Sequence, residues 1–527
     1  MLKRLCGGVL CALLWIGTAA AENVLHRGNR FEPASLDPHQ YQTQYEGAII
    51  LDLFEGLTAF DAAAKLVPGI AESWTASADG KTWTFKLRPE LRWSDGAALS
   101  ADDVVYSFRR LLDPATAAQY AQLMYRVRNG RAVNSGEMPV EKLGVSAPDA
   151  FTVVLHLDAP APFLPEILAN PFAAIVPRHA LAQHGKDWVK PGAMVSNGAF
   201  TLADWQPQNK IELVRNAKFH DAARVKLDRV IYYPTADLNS ALAQFRAGSL
   251  DMQFEFPTSR VDFLRQEFAA ETRIAPSMLT YYVPLNTTNP KFADGRVRRA
   301  LSMAIDRDVL VSRVTRLGEQ PATSFVPPSI ANYTPAEMTF LKAPSEARLA
   351  EARKLLADAG YGPANPLKFS YSYTSNEDFK RIAVAIAGMW KRVGVETELL
   401  NREGKVHFAA LKGGDFEAGF VGWSADFNDA STFLYVLQST TVNSNYGRYR
   451  NPVFDELMAQ AGEEVDPARR ADIMRQAEQL ALDDQPIIPL YYGVTKNLVA
   501  PRVVGWTANP QDFYLSRYLS LAGSAAE

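Results

Sequence analysis

Alternating apolar and polar residues predict β-strands in the first third of the chain. Between Trp83 and Leu87 every second residue is apolar, and the residues between them are Thr and Lys. A period of two is typical of a strand that buries one face. The run follows an Asp-Gly pair, which favours a tight hairpin turn. The same alternation predicts a second strand from Thr152 to Leu157.

A helical pattern runs from Ala101 to Leu112, where apolar residues recur every three or four positions. Ser100 precedes this pattern and Asp103 follows three positions later, an arrangement that favours a helix N-terminus. The second half alternates predicted helices with predicted strands, which favours an α/β lobe around a largely covered sheet. Helices are predicted over 297–311, 346–359, 378–392, 452–461 and 468–482, and strands over 367–373, 396–400 and 418–422.

The N-terminus predicts export. Lys3 and Arg4 precede an apolar stretch that runs to Gly17, and three alanines end at Ala21. This order of charged, apolar and small residues is typical of a secretory signal peptide. We therefore predict a signal peptide over residues 1–21, cleavage after Ala21 and a periplasmic mature protein. No later segment offers about 18 uninterrupted apolar residues, so a membrane-embedded protein is not expected.

Composition narrows the class of protein further. The 527 residues are 47% hydrophobic and 21% charged, which excludes collagen-like, disordered and disulfide-rich chains. The formal net charge of -3 gives no basic excess for nucleic acid or an anionic membrane surface. Cys6 and Cys11 both lie in the predicted signal peptide. The mature chain would therefore have no disulfide, thiolate ligand or cysteine nucleophile.

No catalytic or metal-binding pattern stands above background. The seven histidines form no HExxH-like pair, which argues against zinc catalysis. Gly80-Lys81-Thr82 resembles the end of a phosphate loop, but Thr75 stands where the first glycine belongs. Ser424 lacks the second glycine of a nucleophile elbow, because that position is Asp426. We therefore predict no enzyme activity, no metal site and no cofactor.

Aromatic and acidic residues concentrate directly after Gly422. They include Trp423, Asp426, Asp429 and Tyr435. Aromatic rings beside a loop carboxylate suit a cationic ligand with an apolar body. The alternative is an ordinary strand-loop-helix junction, in which Asp426 or Asp429 caps the next helix and Trp423 belongs to the core. Spacing alone leaves both interpretations open.

The same stretch carries a family resemblance. The octapeptide at 421–428, Val-Gly-Trp-Ser-Ala-Asp-Phe-Asn, resembles the signature loop of the periplasmic oligopeptide-binding proteins of ABC importers, solute-binding protein family 5. Further segments that resemble this family are Ser35–His39, Asp52–Leu57, Pro68–Trp74, Trp93–Gly96, Val195–Phe200, Arg296–Leu301 and Pro489–Tyr492. The resemblance covers essentially the whole mature chain.

The resemblance implies an α/β fold, the bilobal type II periplasmic-binding-protein fold with an inserted subdomain in the first lobe. Members of the family capture short peptides between the lobes and deliver them to a membrane ABC permease. The lobes would close about the crossovers near Thr280 and Lys496, and the protein would be a monomer. The implied division is lobe I over 22–45, 175–279 and 497–527, the inserted subdomain over 46–174, and lobe II over 280–496.

The resemblance also implies a peptide-binding site. Asp426 would pair with the α-ammonium of the peptide. Gly422 and Ser424 would offer backbone groups, and Trp423 would wall a side-chain pocket. The peptide would add as a strand, so that backbone pairing gives affinity without reading the sequence. The other positions that match ligand contacts are Tyr120, Tyr282, Gln42 and Gln44.

The chain departs from the family at this site. The disulfide of close relatives would join positions held here by Leu279 and Ser424, and Gln42 replaces an acidic residue. Basic residues that relatives place near the carboxylate of the peptide are replaced by other side chains. The positions are Thr315, Leu411, Phe420 and, in place of a histidine, Phe379 or a neighbour. Lys412 and Arg316 are the nearest replacement cations along the chain.

These departures leave the identity of the solute open. A murein peptide, an opine-like conjugate or a metal chelate is an alternative ligand, because one fold serves many solutes. The lost basic residues argue against a murein tripeptide, whose several carboxylates need partners. A periplasmic peptide hydrolase and a holdase chaperone are alternatives of other classes. The hydrolase would need a nucleophile-base pair or a metal that the sequence does not suggest.

Overall fold

The computed structural model describes residues 22–441 and 443–523, so the predicted signal peptide lies outside the described residues. Its strands, numbered in chain order, are β1 Val24–Gly28, β2 Thr58–Phe60, β3 Leu66–Pro68, β4 Ala71–Ala76, β5 Thr82–Leu87, β6 Val145–Asp149, β7 Thr152–His156, β8 Phe200–Gln206, β9 Lys210–Arg215, β10 Arg229–Tyr233, β11 Met252–Phe254, β12 Thr272–Pro284, β13 Gln320–Pro321, β14 Lys368–Thr374, β15 Glu396–Arg402, β16 Ala418–Gly419, β17 Val421–Ser424, β18 Ile487–Val499, β19 Val503–Val504 and β20 Ser520–Leu521.

The α-helices alternate with these strands. They are α1 Gln44–Leu53, α2 Ala101–Leu112, α3 Gly130–Asn134, α4 Leu164–Ile167, α5 Arg178–His184, α6 Leu238–Arg246, α7 Val261–Glu267, α8 Pro290–Ala293, α9 Gly295–Met303, α10 Arg307–Val309, α11 Ser345–Asp358, α12 Glu377–Lys391, α13 Gly404–Gly413, α14 Ser431–Leu434, α15 Pro452–Glu463 and α16 Pro467–Asp484. None of the helices in the described part of the chain has the length and apolarity needed to cross a bilayer.

A nine-stranded mixed sheet connects the parts of the molecule. Its strand order is β17-β12-β18-β11-β1-β10-β9-β8, and β13 adds to β18. β12 and β18 are 13 residues long and pair antiparallel, with a register shift between Pro276 and Thr280. Within the described residues β17 pairs with β12 alone, so the second edge of β17 is free.

Three large hydrophobic cores divide the chain. Buried residues between Met278 and Tyr491 form the lobe II core. Buried residues between Leu57 and Ile175, together with Phe427, form the inserted-subdomain core. The lobe I core combines residues from 25–54, 174–252 and 499–519. The residues of this third core therefore come from three separate stretches of the chain.

The strand and helix predictions for the first third are confirmed. β5 buries Trp83, Phe85 and Leu87 on one face and lies in an antiparallel sheet of order β4-β5-β7-β6. α2 begins after Ser100, whose backbone N–H donates to the Asp103 carboxylate at 3.0 Å. In lobe II the parallel sheet β15-β14-β16 packs against α12 and α13.

Two predictions in the second half are wrong. The helix predicted over 297–311 is interrupted between α9 and α10. Asp306 explains the break, because its carboxylate accepts the Val309 N–H at 3.1 Å and begins a new helix. The strand predicted over 418–422 is two strands, because the chain leaves the sheet of β14 after β16 and joins β12 as β17. The other predicted helices and strands are present with small shifts at their ends.

Candidate ligand-binding site

A cavity of about 330 Å³ lies where lobe I, the inserted subdomain and lobe II meet. Gln44 lines it from lobe I and Tyr120 from the inserted subdomain. Ser424 and Asp426 line it from the end of β17 and the loop that follows. The structure therefore brings together four of the eight residues predicted from the sequence, although they are distant along the chain.

β17 carries the signature segment along the edge of the cavity. Ser424 is exposed and lies opposite Leu279 of β12. Gly422 lies opposite Tyr281, and a Cβ at Gly422 would come within 3.0 Å of the Tyr281 ring. Glycine is therefore needed for the close approach of this ring to the strand. Gly422 does not itself line the cavity, but it belongs to the free strand edge beside it.

Asp426 presents a carboxylate without a counterion. Its backbone N–H donates to Thr432 Oγ1 at 3.1 Å. Among the described residues no Lys, Arg or His acts on this carboxylate. Burial raises the pKa of Asp426 to about 6, and a side-chain hydrogen bond with Thr432 opposes this only in part. An incoming ammonium would compensate the buried charge, which is the usual way such a carboxylate is stabilised.

Tyr120 faces Asp426 from the opposite side of the cavity. Its ring is 5.1 Å from that of Tyr41 and stacks on Phe172 at 5.6 Å, measured between ring centroids. Burial, with a smaller contribution from the Asp426 charge, raises the pKa of Tyr120 to about 12. The phenol therefore stays protonated at neutral pH and offers a hydroxyl and an aromatic face to a ligand.

Gln44 braces the lobe I wall of the cavity. Its side-chain amide donates to the backbone carbonyls of Gln511 at 3.1 Å and Asp512 at 3.3 Å. Asp512 accepts the Asn497 side-chain amide at 2.8 Å, and burial raises the pKa of Asp512 to about 7. These contacts fix the position of the loop that forms this wall.

Tyr282 and Gln42 are two of the four predicted residues that do not line the cavity. Tyr282 is 1% exposed in the lobe II core, where its ring meets Phe325 at 5.1 Å. Because successive side chains of a strand point to opposite faces, its neighbour Tyr281 lines the cavity instead. Gln42 lies between Tyr41 and Gln44, which line the cavity, but its own side chain is exposed to solvent and does not line it. Its backbone N–H donates to Glu46 at 2.7 Å, which turns the chain into α1.

Trp423 contacts the loop that carries Asp426 but does not face the ligand cavity. Its indole N–H donates to the Thr432 carbonyl at 2.8 Å, and its ring packs edge-on against Tyr435 at 5.7 Å. Trp423 packs against the lobe II core and does not line the cavity. It therefore holds the Asp426 loop through Thr432, which is the core role that spacing had left open.

The cavity-lining residues that the sequence analysis missed include Tyr281, Glu255 and Lys496. The alternation of side chains along β12 was a signal that could have separated Tyr281 from Tyr282. Glu255 directly follows β11 with a left-handed φ of 64°, which no local pattern announced. Lys496 lies at a predicted crossover, but nothing in the sequence showed that its side chain faces the cavity.

Two positions at which the resemblance implies basic residues are apolar and packed, whereas at a third the Thr315 hydroxyl donates to Glu319 Oε2 at 2.8 Å. Leu411 is 0% exposed and Phe420 is 2% exposed. The Tyr281 ring stacks on Phe420 at 5.5 Å and meets Phe379 at 6.0 Å. We call Tyr281, Phe379 and Phe420 the aromatic wall. A carboxylate placed against this wall would find no cationic partner there.

The two replacement cations suggested by the sequence do not reach the cavity. Lys412 is exposed on α13, and Arg316 forms an ion pair with Asp262 at 2.7 Å on the surface. Neither residue lines the cavity. The structure thus contradicts the idea that either one receives the ligand carboxylate.

A contact between the inserted subdomain and lobe II borders the cavity. Phe163 stacks on Phe427 at 4.9 Å, and Arg470 donates to both Asp429 oxygens at 2.7 and 2.9 Å. The nearby Glu166 has a buried Oε2 without a hydrogen-bond partner among the described residues. Burial, and secondarily the Asp429 charge, raises the pKa of Glu166 to about 7.

The arrangement agrees with a known protein family. Residues 65–445 match the family described as bacterial extracellular solute-binding proteins, family 5 middle. The chain belongs to this family of solute-binding proteins. The matched range of family 5 includes the cavity residues Tyr120 and Asp426 and the signature loop at 421–428.

Named relatives of the family 5 chain support this placement over nearly its whole length. It is 36% identical over 515 residues to the periplasmic oligopeptide-binding protein OppA of Salmonella typhimurium, covering 95% of this chain and 94% of that protein. It is 37% identical over 507 residues to the periplasmic murein peptide-binding protein MppA of Escherichia coli, covering 95% and 94%.

A solved structure extends the similarity to the fold. The murein tripeptide-binding protein MppA in its unliganded open form superposes with a TM-score of 0.85 at 35% identity, covering 95% of this chain and 98% of that chain. The bilobal type II fold predicted for this family 5 protein is therefore confirmed.

Proposed function

We propose that this protein is the periplasmic solute-binding component of an ABC importer, which captures short peptides between its lobes and delivers them to a membrane permease. The observation that carries the proposal is the juxtaposition of Asp426, whose carboxylate has no counterion among the described residues, with the free edge of β17. A peptide N-terminus supplies both complements, an ammonium and an extended backbone. The membership in family 5 supports the same class of function.

Asp426 would anchor the ligand through its α-ammonium. The carboxylate is largely removed from water and lacks a counterion, so a bound ammonium gains a strong charge-assisted hydrogen bond. Tyr120 faces the same point and would contribute its hydroxyl or its ring. The raised pKa of Asp426 supports this role, because the apo protein holds the charge at a cost that the ligand relieves.

The strand edge would hold the backbone of the ligand. β17 offers backbone groups at Gly422 and Ser424, and strand addition there leaves the ligand side chains free of sequence-specific readout. Gln44 would act indirectly, by bracing the loop over Gln511 and Asp512. Trp423 would act indirectly as well, through its hydrogen bond to Thr432.

Ligand binding would couple to closure of the lobes. The proposed hinge lies where β12 and β18 cross between the lobes, near Thr280 and Lys496, and a ligand that touches both lobes favours the closed state. We further propose that the protein is a monomer, is cleaved after Ala21 and binds peptides without hydrolysing them. Energy for transport would come from another subunit.

A murein peptide is the second candidate ligand. Similarity to MppA favours it, since MppA is a murein peptide-binding protein with 37% identity to this chain. The charges of the cavity argue against it, because among the described residues Lys496 is the one basic side chain that lines the cavity, whereas the several carboxylates of a murein tripeptide need partners. Short peptides and murein tripeptide should therefore be compared in the same binding experiment.

The test is ligand binding by the mature protein. Tripeptides to pentapeptides should raise the melting temperature by mass action on the folded state, whereas their N-acetylated forms should raise it far less. Native mass spectrometry of the protein as purified would identify any ligand carried from the cell. Peptide recovered after incubation should be intact, and fragments that increase with protein concentration would contradict a pure binding function. A shift produced by murein tripeptide alone would replace the first candidate by the second.

A further inference from the structure

The charges on the cavity wall are unequal. Three acidic residues line it, Asp426, Glu255 and Asp512, and within the described chain Lys496 is the one basic residue that does so. A short peptide carries a carboxylate as well as an ammonium, and a carboxylate removed from water without a cation is strongly disfavoured. The distribution of charge therefore singles out Lys496.

Lys496 is not fully committed to a partner within the protein. Its Nζ lies 4.0 Å from Glu255 Oε1, the outer limit of an ion pair. Glu255 is already held by Arg30, whose Nε donates to Glu255 Oε2 at 2.8 Å. Arg30 does not line the cavity. Glu255 would therefore keep a close partner if Lys496 turned towards a ligand.

Asp512 is a second charged neighbour of Lys496 on the cavity wall. Asp512 accepts the Asn497 amide at 2.8 Å, and burial raises the pKa of its carboxyl to about 7. The hydrogen bond from Asn497 engages Asp512 Oδ1, and burial disfavours the charged form of the carboxyl, so both reduce the attraction of Asp512 for Lys496. The Lys496 side chain is 23% exposed, which leaves its ammonium accessible from the cavity.

Apart from Lys496, no residue in the described lining of the cavity is a cation that could receive the ligand carboxylate. Of the aromatic wall only Tyr281 lines the cavity, and Phe379 and Phe420 pack against its ring. Lys412 and Arg316 lie outside the cavity. Among the residues that the structure describes, a carboxylate that stays in this cavity thus has one cation to meet.

We propose that Lys496 binds the carboxylate of the ligand and that this protein selects short solutes carrying both an ammonium and a free carboxylate within reach of Asp426 and Lys496. The inference rests on the proposed function and deepens it. Lys496 extends from β18, which crosses between the lobes. Carboxylate binding would therefore also act at the crossover itself.

The experiment measures how much a free C-terminus contributes to binding. Affinities of Ala-Ala-Ala, its C-terminal amide and its N-acetyl form are determined by calorimetry for the wild type and for Lys496→Met, Lys496→Arg and Lys412→Met. Amidation should weaken binding to the wild type at least tenfold. The loss should fall below twofold in Lys496→Met and stay above fivefold in Lys496→Arg. Lys412→Met is the matched control, and its amidation loss should equal that of the wild type.

The outcomes separate the two proposals. If the wild type binds Ala-Ala-Ala and discriminates against the N-acetyl form, but Lys496→Met keeps the full amidation loss, Lys496 is not the receptor and only this inference fails. The inference fails in the same way if amidation leaves wild-type affinity unchanged. If the wild type binds none of the three peptides, the proposed function fails and this inference with it. Lys496→Gln replaces the Met variant if circular dichroism shows that the latter is unfolded.

Discussion

Replacing Asp426 by Asn should make the empty protein more stable and the site weaker. The carboxyl titrates near 3.8 when exposed, and burial raises the pKa of Asp426 to about 6 in the folded protein. Each pH unit between folded and unfolded pKa values corresponds to about 1.4 kcal/mol. At neutral pH the ionised carboxylate therefore costs the folded protein about 3 kcal/mol. The Asp426→Asn substitution would remove the charge while keeping nearly the same shape.

The sign of the effect depends on pH in a defined way. Because the folded pKa lies above the unfolded one, the wild type loses stability as the pH rises from 3.8 to about 6 and then stays level. The stability difference between Asp426→Asn and the wild type should be largest above pH 7. At pH 5 it should shrink by about half. The new amide has no obvious second partner, so the observed gain at pH 7.5 should be about 1 to 3 kcal/mol.

Urea unfolding at pH 7.5 and pH 5.0 measures this difference, and calorimetry with Ala-Ala-Ala measures the site. Loss of the carboxylate that pairs with a desolvated ammonium should cost about 2 to 5 kcal/mol of binding free energy. Asp415→Asn, at an exposed position, serves as the control and should change neither quantity. A variant that is destabilised at pH 7.5, or that binds the tripeptide as tightly as the wild type, would refute the reasoning.

Neighbouring features lead to three further predictions. Affinity for a free-amine tripeptide should be highest near pH 7. It should fall up to tenfold per pH unit below about 6, as Asp426 becomes protonated, and fall again above about pH 8, as the peptide amine loses its proton. A pH series with the N-acetyl peptide is the comparison and should lack both decreases. Cysteines introduced at the paired positions Leu279 and Ser424 should form a disulfide and add about 2 to 4 kcal/mol of stability. Thermal melts with and without reductant measure the gain, and free thiols in the oxidised double variant would contradict the prediction. Glu166→Gln should stabilise the protein by about 2 kcal/mol at pH 8 and by less at pH 5, because the ionised carboxylate of Glu166 is buried beside Asp429. Urea unfolding at the two pH values measures the gain, and equal gains would count against this explanation.

Most of the elements predicted from local patterns are present, but the patterns did not show where tertiary contacts interrupt them. The alternation at β5 and the helical spacing at α2 gave correct elements because each has one buried face. The interruption at Asp306 was missed because a side-chain cap outweighs a continuing apolar pattern. The split of β16 and β17 was missed because it depends on which sheet each segment joins, and this is not written in either segment.

Some residues of the site could likewise be located from the sequence, and others could not. Resemblance located the segment around Asp426, because a short contiguous loop carries it. Tyr282 was chosen over Tyr281 because the resemblance marked a stretch, whereas the face of β12 on which each ring lies depends on the register with β17. Lys496 and Glu255 could not be found from the sequence, because they meet through pairing of β11 with β18 across more than 200 residues of chain.

The paired crossover of β12 and β18 also limits the mechanics of the protein. A slip of one residue would break the ladder and turn every side chain to the wrong face, so sliding of the lobes is strongly disfavoured. Bending is easier, because the ladder between the two strands skips residues 277–279. The lobes should therefore move about a single axis, and one distance between them describes the whole motion. Both cysteines lie within residues 1–21. In protein prepared from residue 22 onwards, one pair of introduced thiols with spectroscopic labels would therefore follow that distance without background.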